Sequence, residues 1–323
     1  MGISLSRRLL LRGNLAVIYD GLKDYLYDFR RFRTFSGAVN PLVSRNAIAA
    51  RITKEYHRIE KGLALPEPKP GFAQPVIDWL LAEVPAYERG GRDYISDGAR
   101  AAVGDWVGFH DRIGAAVRPE IRSFAQGSDN FEGGVKTLTR DEILAAAMID
   151  FDRFAKMRHS IRQFTGAPVP EAAIARAVET ALKTPRVCNR ESRRVRVAFD
   201  PAVRAKMLGY QNGNRGFGHL AGAVAMITVD LAAFTDFGER NQGWIDGGMF
   251  AMSLVNALHA QGLGTCMLNS ATIGWRDAKM RAALGVPDNE IVITFLAVGQ
   301  IPDRVAVAVS PAPRAGEVLT VMA

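Results

Sequence analysis

Near the middle of the chain, Arg158, His159, Ser160, Ile161 and Arg162 put two guanidinium groups, a hydroxyl and an imidazole within five residues. Arginine supplies a permanent charge and a planar fork of donors, and serine adds a neutral donor. That set suits the clustered oxygens of a phosphate. A solvated basic turn has the same composition, so the cluster needs support from its surroundings. Other candidates are thinner. Cys188 and Cys266 stand in no CxxC or metal-ligand spacing. His57, Glu60 and Lys61 share one side of a helix, as a salt-bridge cluster or as groups facing a ligand. Asp111 and Glu120 form no pair suited to acid–base work.

The elements that position these residues come from a chain of 323 residues, enough for about two domains of ~100–200 residues each. With 48 % hydrophobic and 23 % charged residues it is a globular sequence with a core, which excludes a disordered chain. The net charge of +8 is concentrated early: residues 1–50 hold eight Arg or Lys against three Asp. Such a segment suits an anionic lipid surface, whereas a nucleic-acid partner calls for a basic face with interleaved aromatics, and none is evident. Two distant cysteines fit a reducing compartment, so a cytoplasmic location is expected, with contact at the inner membrane face open to residues 1–35. No run of ~18 apolar residues predicts a membrane span. Met1 to Ser6 formally fits a myristoylation pattern at Gly2. Arg7 to Arg12 resembles the start of an export signal, but Asn14 and Asp20 interrupt its apolar stretch.

Residues 1–137 read as a helical region. Tyr19, Tyr25, Tyr27, Phe29 and Phe32 among Arg30, Arg31 and Arg33 predict an amphipathic helix that packs on its own domain, a membrane or a partner. Asn46 is placed to cap the next helix, with Ile48, Ile52, Tyr56, Ile59 and Leu63 along one face. Pro66 to Gly71 is a rigid connector, helices follow near Val76–Val84 and Gly98–Ile113, and the small polar run from Gln126 to Gly134 marks a boundary.

In residues 138–323 a capping box at Thr139 and Glu142 predicts one long buried helix through Ile143, Ala146, Ala147, Phe151, Phe154 and Met157, ending at Arg158. Another helix begins at Pro170–Glu171 and runs through Ile174, Val178 and Leu182. Strands are predicted at Val195–Phe199, at Val224–Val229 and, as a central strand, at Ile291–Val298. Ile245–Gln261 reads as an apolar helix with Gly247 and Gly248 near its start. The fold class is α+β, a modest sheet flanked by helices.

Four separated motifs give the chain from about Leu138 to Ala323 a resemblance to the nitroreductase family. Arg158-His159-Ser160-Ile161-Arg162-Gln163-Phe164 matches the family's opening signature, and Pro185 with Asn189 follows at its spacing. Gly262-Leu263-Gly264-Thr265-Cys266 matches a third pattern. Leu284-Gly285-Val286-Pro287, a strand ending at Gly299 and a late Arg314 match the fourth. The resemblance implies a mixed sheet flanked by helices, a homodimer, FMN as cofactor and NADH or NADPH as electron donor. It implies that Arg158, Ser160 and Arg314 hold the phosphate and that Arg162 and Asn189 face the ribityl chain and pyrimidine edge. Met267, Leu268, Asn269 and Ser270 would then lie beside the flavin ring, with His159 either a contact or a structural group bonding a backbone carbonyl.

The implied reaction is ping-pong transfer from the nicotinamide through flavin N5 to a small-molecule acceptor, with no catalytic side chain. The sequence departs from the family at Arg190-Glu191-Ser192-Arg193, where Gln-Pro-Trp is usual. A carboxylate at Glu191 would lower the flavin potential unless Arg190, Arg193 or Arg194 pairs with it. The changed rim and the long extension point to a dedicated acceptor. The other reading is an accessory protein with a weakly active flavin fold, attached to a membrane or partner enzyme through its basic N-terminal segment.

Overall fold

In the computed structural model, residues 5–39, 44–127, 133–308 and 314–322 are described, with side chains from residue 18 onward. The pattern at Met1 to Ser6, the side chains of Arg7 to Arg12 and of Ile143, Ala146 and Ala147, and residues 128–132 of the boundary loop lie outside that description.

Four helices make the first core. They are α2 (Arg45–Leu63), α3 (Gln74–Glu88), α4 (Tyr94–Arg112) and α5 (Pro119–Phe124). The predicted apolar face of α2 is the buried one: Ile52, Tyr56 and Ile59 pack with Leu80, Trp106 and Ile121. Trp106 is wholly buried, and its indole N–H is satisfied by the Phe72 carbonyl at 2.9 Å. Ser44, not Asn46, caps α2, accepting from the Ala47 N–H at 3.1 Å. Asn46 instead donates to Asp230 Oδ2 at 2.7 Å, tying this core to the sheet that follows. His57 Nδ1 and Glu60 Oε2 are 2.8 Å apart, a pairing internal to α2.

Helix α1 (Leu5–Phe35) packs against the C-terminal half of the chain. Phe32 is buried with Val229, Leu231, Phe234 and Ile291. Tyr27 and Arg31 make polar contacts described below, while Ile18, Tyr19, Leu22, Tyr25, Leu26 and Phe29 remain exposed.

The second half is a sheet between helical layers. Strands β1 (Arg193–Ala198), β2 (Ala223–Asp230), β3 (Leu263–Asn269) and β4 (Glu290–Gln300) lie in the order β1-β2-β4-β3. All three ladders are antiparallel, and the expected mixture of directions is confined to one parallel bridge between Ser160 and Thr265. Successive side chains of a strand face opposite sides. Ala225 and Ile227 of β2 and Leu296 and Val298 of β4 accordingly meet α8 (Glu171–Ala181) and α10 (Gln242–His259). Val224 and Met226 with Phe295 and Ala297 meet α9 (Pro201–Leu208) and α11 (Gly274–Leu284) on the other face. Both faces are covered, which explains why β2 and β4 are almost continuously apolar. Strand β3 escapes pattern reading because Gly264, Thr265 and Cys266 carry no alternation; its place is fixed by pairing with β4.

The long helix expected through Met157 is two short ones. The Thr139–Glu142 capping box forms and starts α6 (Arg140–Ala147), but the chain breaks at Met148 and restarts as α7 (Phe151–Met157) under its own cap, Asp150, which accepts from the Arg153 N–H at 2.9 Å. No residue of α7 is buried; Phe151 and Met157 face outward and Phe154 packs on His259 at the end of α10. An apolar periodicity cannot tell a face buried in its own chain from one left for another surface. A last short helix, α12 (Ala315–Val318), closes the described chain.

Candidate functional site

Two glycines seat the segment that carries the basic cluster. Gly262 turns the end of α10 into β3 with φ of 75°, a conformation costly for other residues. Gly264 then permits close approach, since a β-carbon there would fall 3.1 Å from Ile161 Cβ and 2.9 Å from Ile301 Cγ1. Ile161 donates its N–H to the Thr265 carbonyl at 2.8 Å, and Thr165 donates to Gln300 at 3.1 Å. Ile161 and Phe164 are the buried anchors, leaving Arg158, His159 and Ser160 half-buried and Arg162 exposed.

Beside this seam lies a cavity of about 450 Å3, in the size range of small-molecule sites. Arg162 and Arg276 provide its charge, and Tyr210, Gln211, Met267 and Asn269 much of its wall. In an antiparallel strand the outward-facing peptide groups alternate. Thr265 accepts from Ile161 on the outer edge of β3, and the Asn269 carbonyl accepts from Gln211 Nε2 at 3.1 Å on that same edge. Met267, between them, therefore turns its peptide N–H and C=O toward the cavity. The Asn269 side chain accepts from the Ala271 N–H, shaping the floor through Ser270 and Thr272. Cys266 is buried, and burial pushes its thiol up in pKa against the opposing pull of Arg162.

Five of the ten expected site residues line this cavity: Arg162, Met267, Leu268, Asn269 and Ser270. Ser160 is one strand bridge away at Thr265, and Arg158 and His159 precede it without lining the cavity. Arg314 is exposed at the start of α12, its N–H bonded to Glu317 Oε2 at 2.6 Å. Asn189 sits in a short turn, Val187–Asn189, beside α2. It and Cys188 hold φ values of 58° and 47°, an uncommon conformation for residues other than glycine. The Arg186 guanidinium donating to the Asn189 carbonyl at 3.0 Å helps hold it. Sequence reading missed Tyr210, Gln211 and Arg276; the Asn- and Gly-rich run from Gly209 to Gly216 signalled a loop, but nothing local said that it walls a cavity.

The departure at Glu191 is neutralised. Its carboxylate takes Arg193 Nε at 2.8 Å and Nη2 at 2.7 Å, with Arg186 Nε at 3.5 Å. Burial would raise its pKa, but the hydrogen bonds and charge of Arg193, aided by Arg186, hold it below the usual carboxylate value. Arg190, almost wholly buried, is spent elsewhere: it donates to the Ala233 carbonyl at 2.7 Å and to both oxygens of Glu239.

The N-terminal helix reaches the same region. A smaller cavity of about 80 Å3 adjoins the first through Ser270 and Thr272, and its other wall includes Asp24, Tyr27, Asp28 and Arg31 of α1.

An antiparallel sheet sandwiched by helices, with a strand edge opening on a cavity beside Arg162 and Arg276, accords with what comparison of the sequence gives: residues 155–300 match the model of the nitroreductase family. An NADH dehydrogenase of Thermus thermophilus is 25 % identical over 185 residues, 47 % of this chain and 87 % of that protein. Among solved structures, a nitroreductase from Desulfovibrio desulfuricans in complex with FMN is 18 % identical, covering 54 % of this chain and 98 % of that one with a TM-score of 0.47. An FMN-dependent nitroreductase from Clostridium difficile is 21 % identical over 52 % of this chain and 96 % of that one, with a TM-score of 0.44.

Proposed function

We propose that the chain is an FMN-dependent oxidoreductase of nitroreductase type, taking electrons from NADH or NADPH and passing them to a small-molecule acceptor in ping-pong order. The observation that carries this is the Met267 peptide group on the outer edge of β3, which faces a cavity of cofactor size next to Arg162; its carbonyl meets only the Cys266 thiol, at 3.8 Å, among the described residues. When bound, FMN supplies the hydride chemistry. The chain's own groups fit it: Arg162 and Arg276 offer charge to an electron-rich ring edge, Met267 offers a backbone donor, and Arg158 with Ser160 continues along the bridge as phosphate donors. The resemblance adds Asn189 and Arg314 to the cofactor's contacts, with His159 either a further contact or a structural group next to Arg158 and Ser160 in the chain. Tyr210 and Leu268 provide apolar wall and exclude water. Anaerobic titration tests the reading: protein that takes up FMN and is bleached by NADH or NADPH supports it, and protein that retains no FMN overturns it.

The acceptor is a dedicated one. Helix α1 brings Asp24, Tyr27 and Arg31 next to Ser270 and Thr272, so the N-terminal region, residues 1–137, contributes to the acceptor's surroundings and the domain from 138 to 323 to the cofactor's. Removing α1 should broaden the acceptor profile while FMN binding persists. The working form is a homodimer: Trp244, Ile245, Met249 and Met252 form an exposed apolar stripe on α10, and Phe151 and Met157 are further exposed apolar residues on α7. Sedimentation as a monomer at micromolar concentration would count against this.

A second reading rests on the outer face of α1. Ile18, Leu22, Tyr25 and Phe29 recur at helical spacing and are all about half or more exposed, with Lys23, Arg30 and Arg33 on the same helix. That face suits peripheral contact with an anionic membrane of the cytoplasm. No described helix is long and apolar enough to cross a membrane. Co-sedimentation with phosphatidylserine vesicles, lost on Tyr25→Glu, tests it.

A further inference from the structure

The loop after α9 walls two cavities. Tyr210 to Gly213 face the one described above, whereas Gly209 and Asn214 to Gly216 face another of about 390 Å3. Arg204 from α9, Arg215 from the loop and His219 beyond it all line this second space, and no carboxylate among the described residues does. The Arg204 Nε is buried with no hydrogen-bond partner, and Arg204, Arg215 and His219 form no ion pair with a described residue. The Nε itself is shielded, but the rest of the Arg204 guanidinium and that of Arg215 present positive charge to the cavity with no internal counter-charge among the described residues, so an anion entering it would meet uncompensated donors. Two arginine forks with a histidine favour a phosphate over a carboxylate, and the volume leaves room for the organic group that carries it, with Pro201 and Leu208 as apolar wall.

The partition between the cavities is held in place. Asn214 Nδ2 donates to the Leu208 carbonyl at 2.9 Å and to the Gln211 carbonyl at 2.7 Å. Gln211 in turn reaches the Asn269 carbonyl on β3. Gly218 packs closely on the same loop: a β-carbon there would fall 2.9 Å from Leu208 Cδ1 and 3.0 Å from Asn214 Oδ1 and would push one of those side chains aside. One ordered loop thus separates the site where a nicotinamide would react from a basic site beside it. We propose that the cavity bounded by Arg204, Arg215 and His219 binds the phosphate monoester on the adenosine end of the reductant, so that the protein favours NADPH over NADH. This rests on the oxidoreductase reading; the presence of a phosphate site does not.

Isothermal titration of the full-length, FMN-loaded protein with adenosine 2′,5′-bisphosphate, 5′-AMP and inorganic phosphate separates the cases. The bisphosphate should bind at least about tenfold more tightly than 5′-AMP, as expected for one added charge-assisted contact. Arg204→Gln and the exposed Arg215→Gln should each weaken it by about tenfold. In anaerobic reduction the same variants should lower the NADPH-to-NADH ratio of kcat/KM by a similar factor through KM. Equal binding of bisphosphate and 5′-AMP, or unchanged binding in the Arg215 variant, overturns the proposal. Inorganic phosphate binding as tightly as the bisphosphate also overturns it, by showing a site for the free anion. If neither nicotinamide reduces the protein but bisphosphate binding is lost in both variants, the oxidoreductase reading falls and the phosphate site stands.

Discussion

Tyr27 and Asp277, 250 residues apart, are joined by a 2.6 Å hydrogen bond from the phenol to the carboxylate. Arg281 Nη2 donates back to the phenol oxygen at 2.8 Å, and Arg31 lies 3.4 Å from the same carboxylate. This cluster fixes α1 on α11 at the border of the candidate cofactor cavity. Tyr27→Phe removes a donor and an acceptor while keeping the ring, and should cost about 1–2 kcal/mol. Urea denaturation reads it directly, and an unchanged midpoint would show that α1 is held by its apolar contacts alone.

Glu191 and Arg193 should behave as a unit. The Arg193 side chain has no exposure, so Glu191→Gln leaves a buried guanidinium without its counter-charge and should cost about 3–5 kcal/mol. Arg193→Met combined with Glu191→Gln should cost clearly less than the sum of the single changes. Additive losses in the double-mutant cycle would mean the two are not coupled.

Acid should unfold the protein through three such pairs. Burial raises the carboxyl pKa of Glu191, Glu239 and Glu290, but their partners Arg193, Arg190 and Arg196 win and hold each below the ordinary value of 4.5. Because the folded pKa is the lower one, the unfolded chain binds more protons in the window between the two values. The stabilisation is therefore complete above 4.5 and is lost as pH falls through the folded values. Thermal midpoints measured against pH should drop steeply only below that value, and Glu290→Gln should flatten the decline. An acid limb unaltered in this variant would place the titrating groups elsewhere.

Gly299 lies under the ring of Phe164: a β-carbon there would come 2.6 Å from Phe164 Cδ1. Gly299→Ala must displace the anchor that seats Arg162. Overpacking of this kind costs about 1–3 kcal/mol. The FMN content of the purified variant should fall along with its stability, and full FMN occupancy would show that the segment tolerates the shift.

Much of this fold is legible in the sequence. The periodicity of Ile52, Tyr56 and Ile59 predicts the buried face of α2, and the apolar run at Ile291–Val298 predicts a central strand, because burial on a regular backbone repeats at fixed intervals. The short motifs at Arg158–Phe164 and Gly262–Cys266 are also visible as patterns, since each is set by local backbone geometry or close approach. What no window of residues contains is which segments meet. The helix expected to be buried through Phe151 and Met157 is broken and exposed, and α1 packs on strand residues Val229 and Ile291, both far along the chain.

The same division holds for the site. Sequence by itself determined the glycines and the basic cluster, which depend on near neighbours, whereas the open edge at Met267 exists only because β3 pairs with β4 and ends the sheet. Only the tertiary structure decided that Glu191 is silenced by Arg193, that Gln211 closes one end of the β3 edge, and that Arg204 and Arg215 share a cavity. Those outcomes depend on charge and packing between distant parts of the chain. A residue's type states what it can bond, and the fold alone states what is within reach.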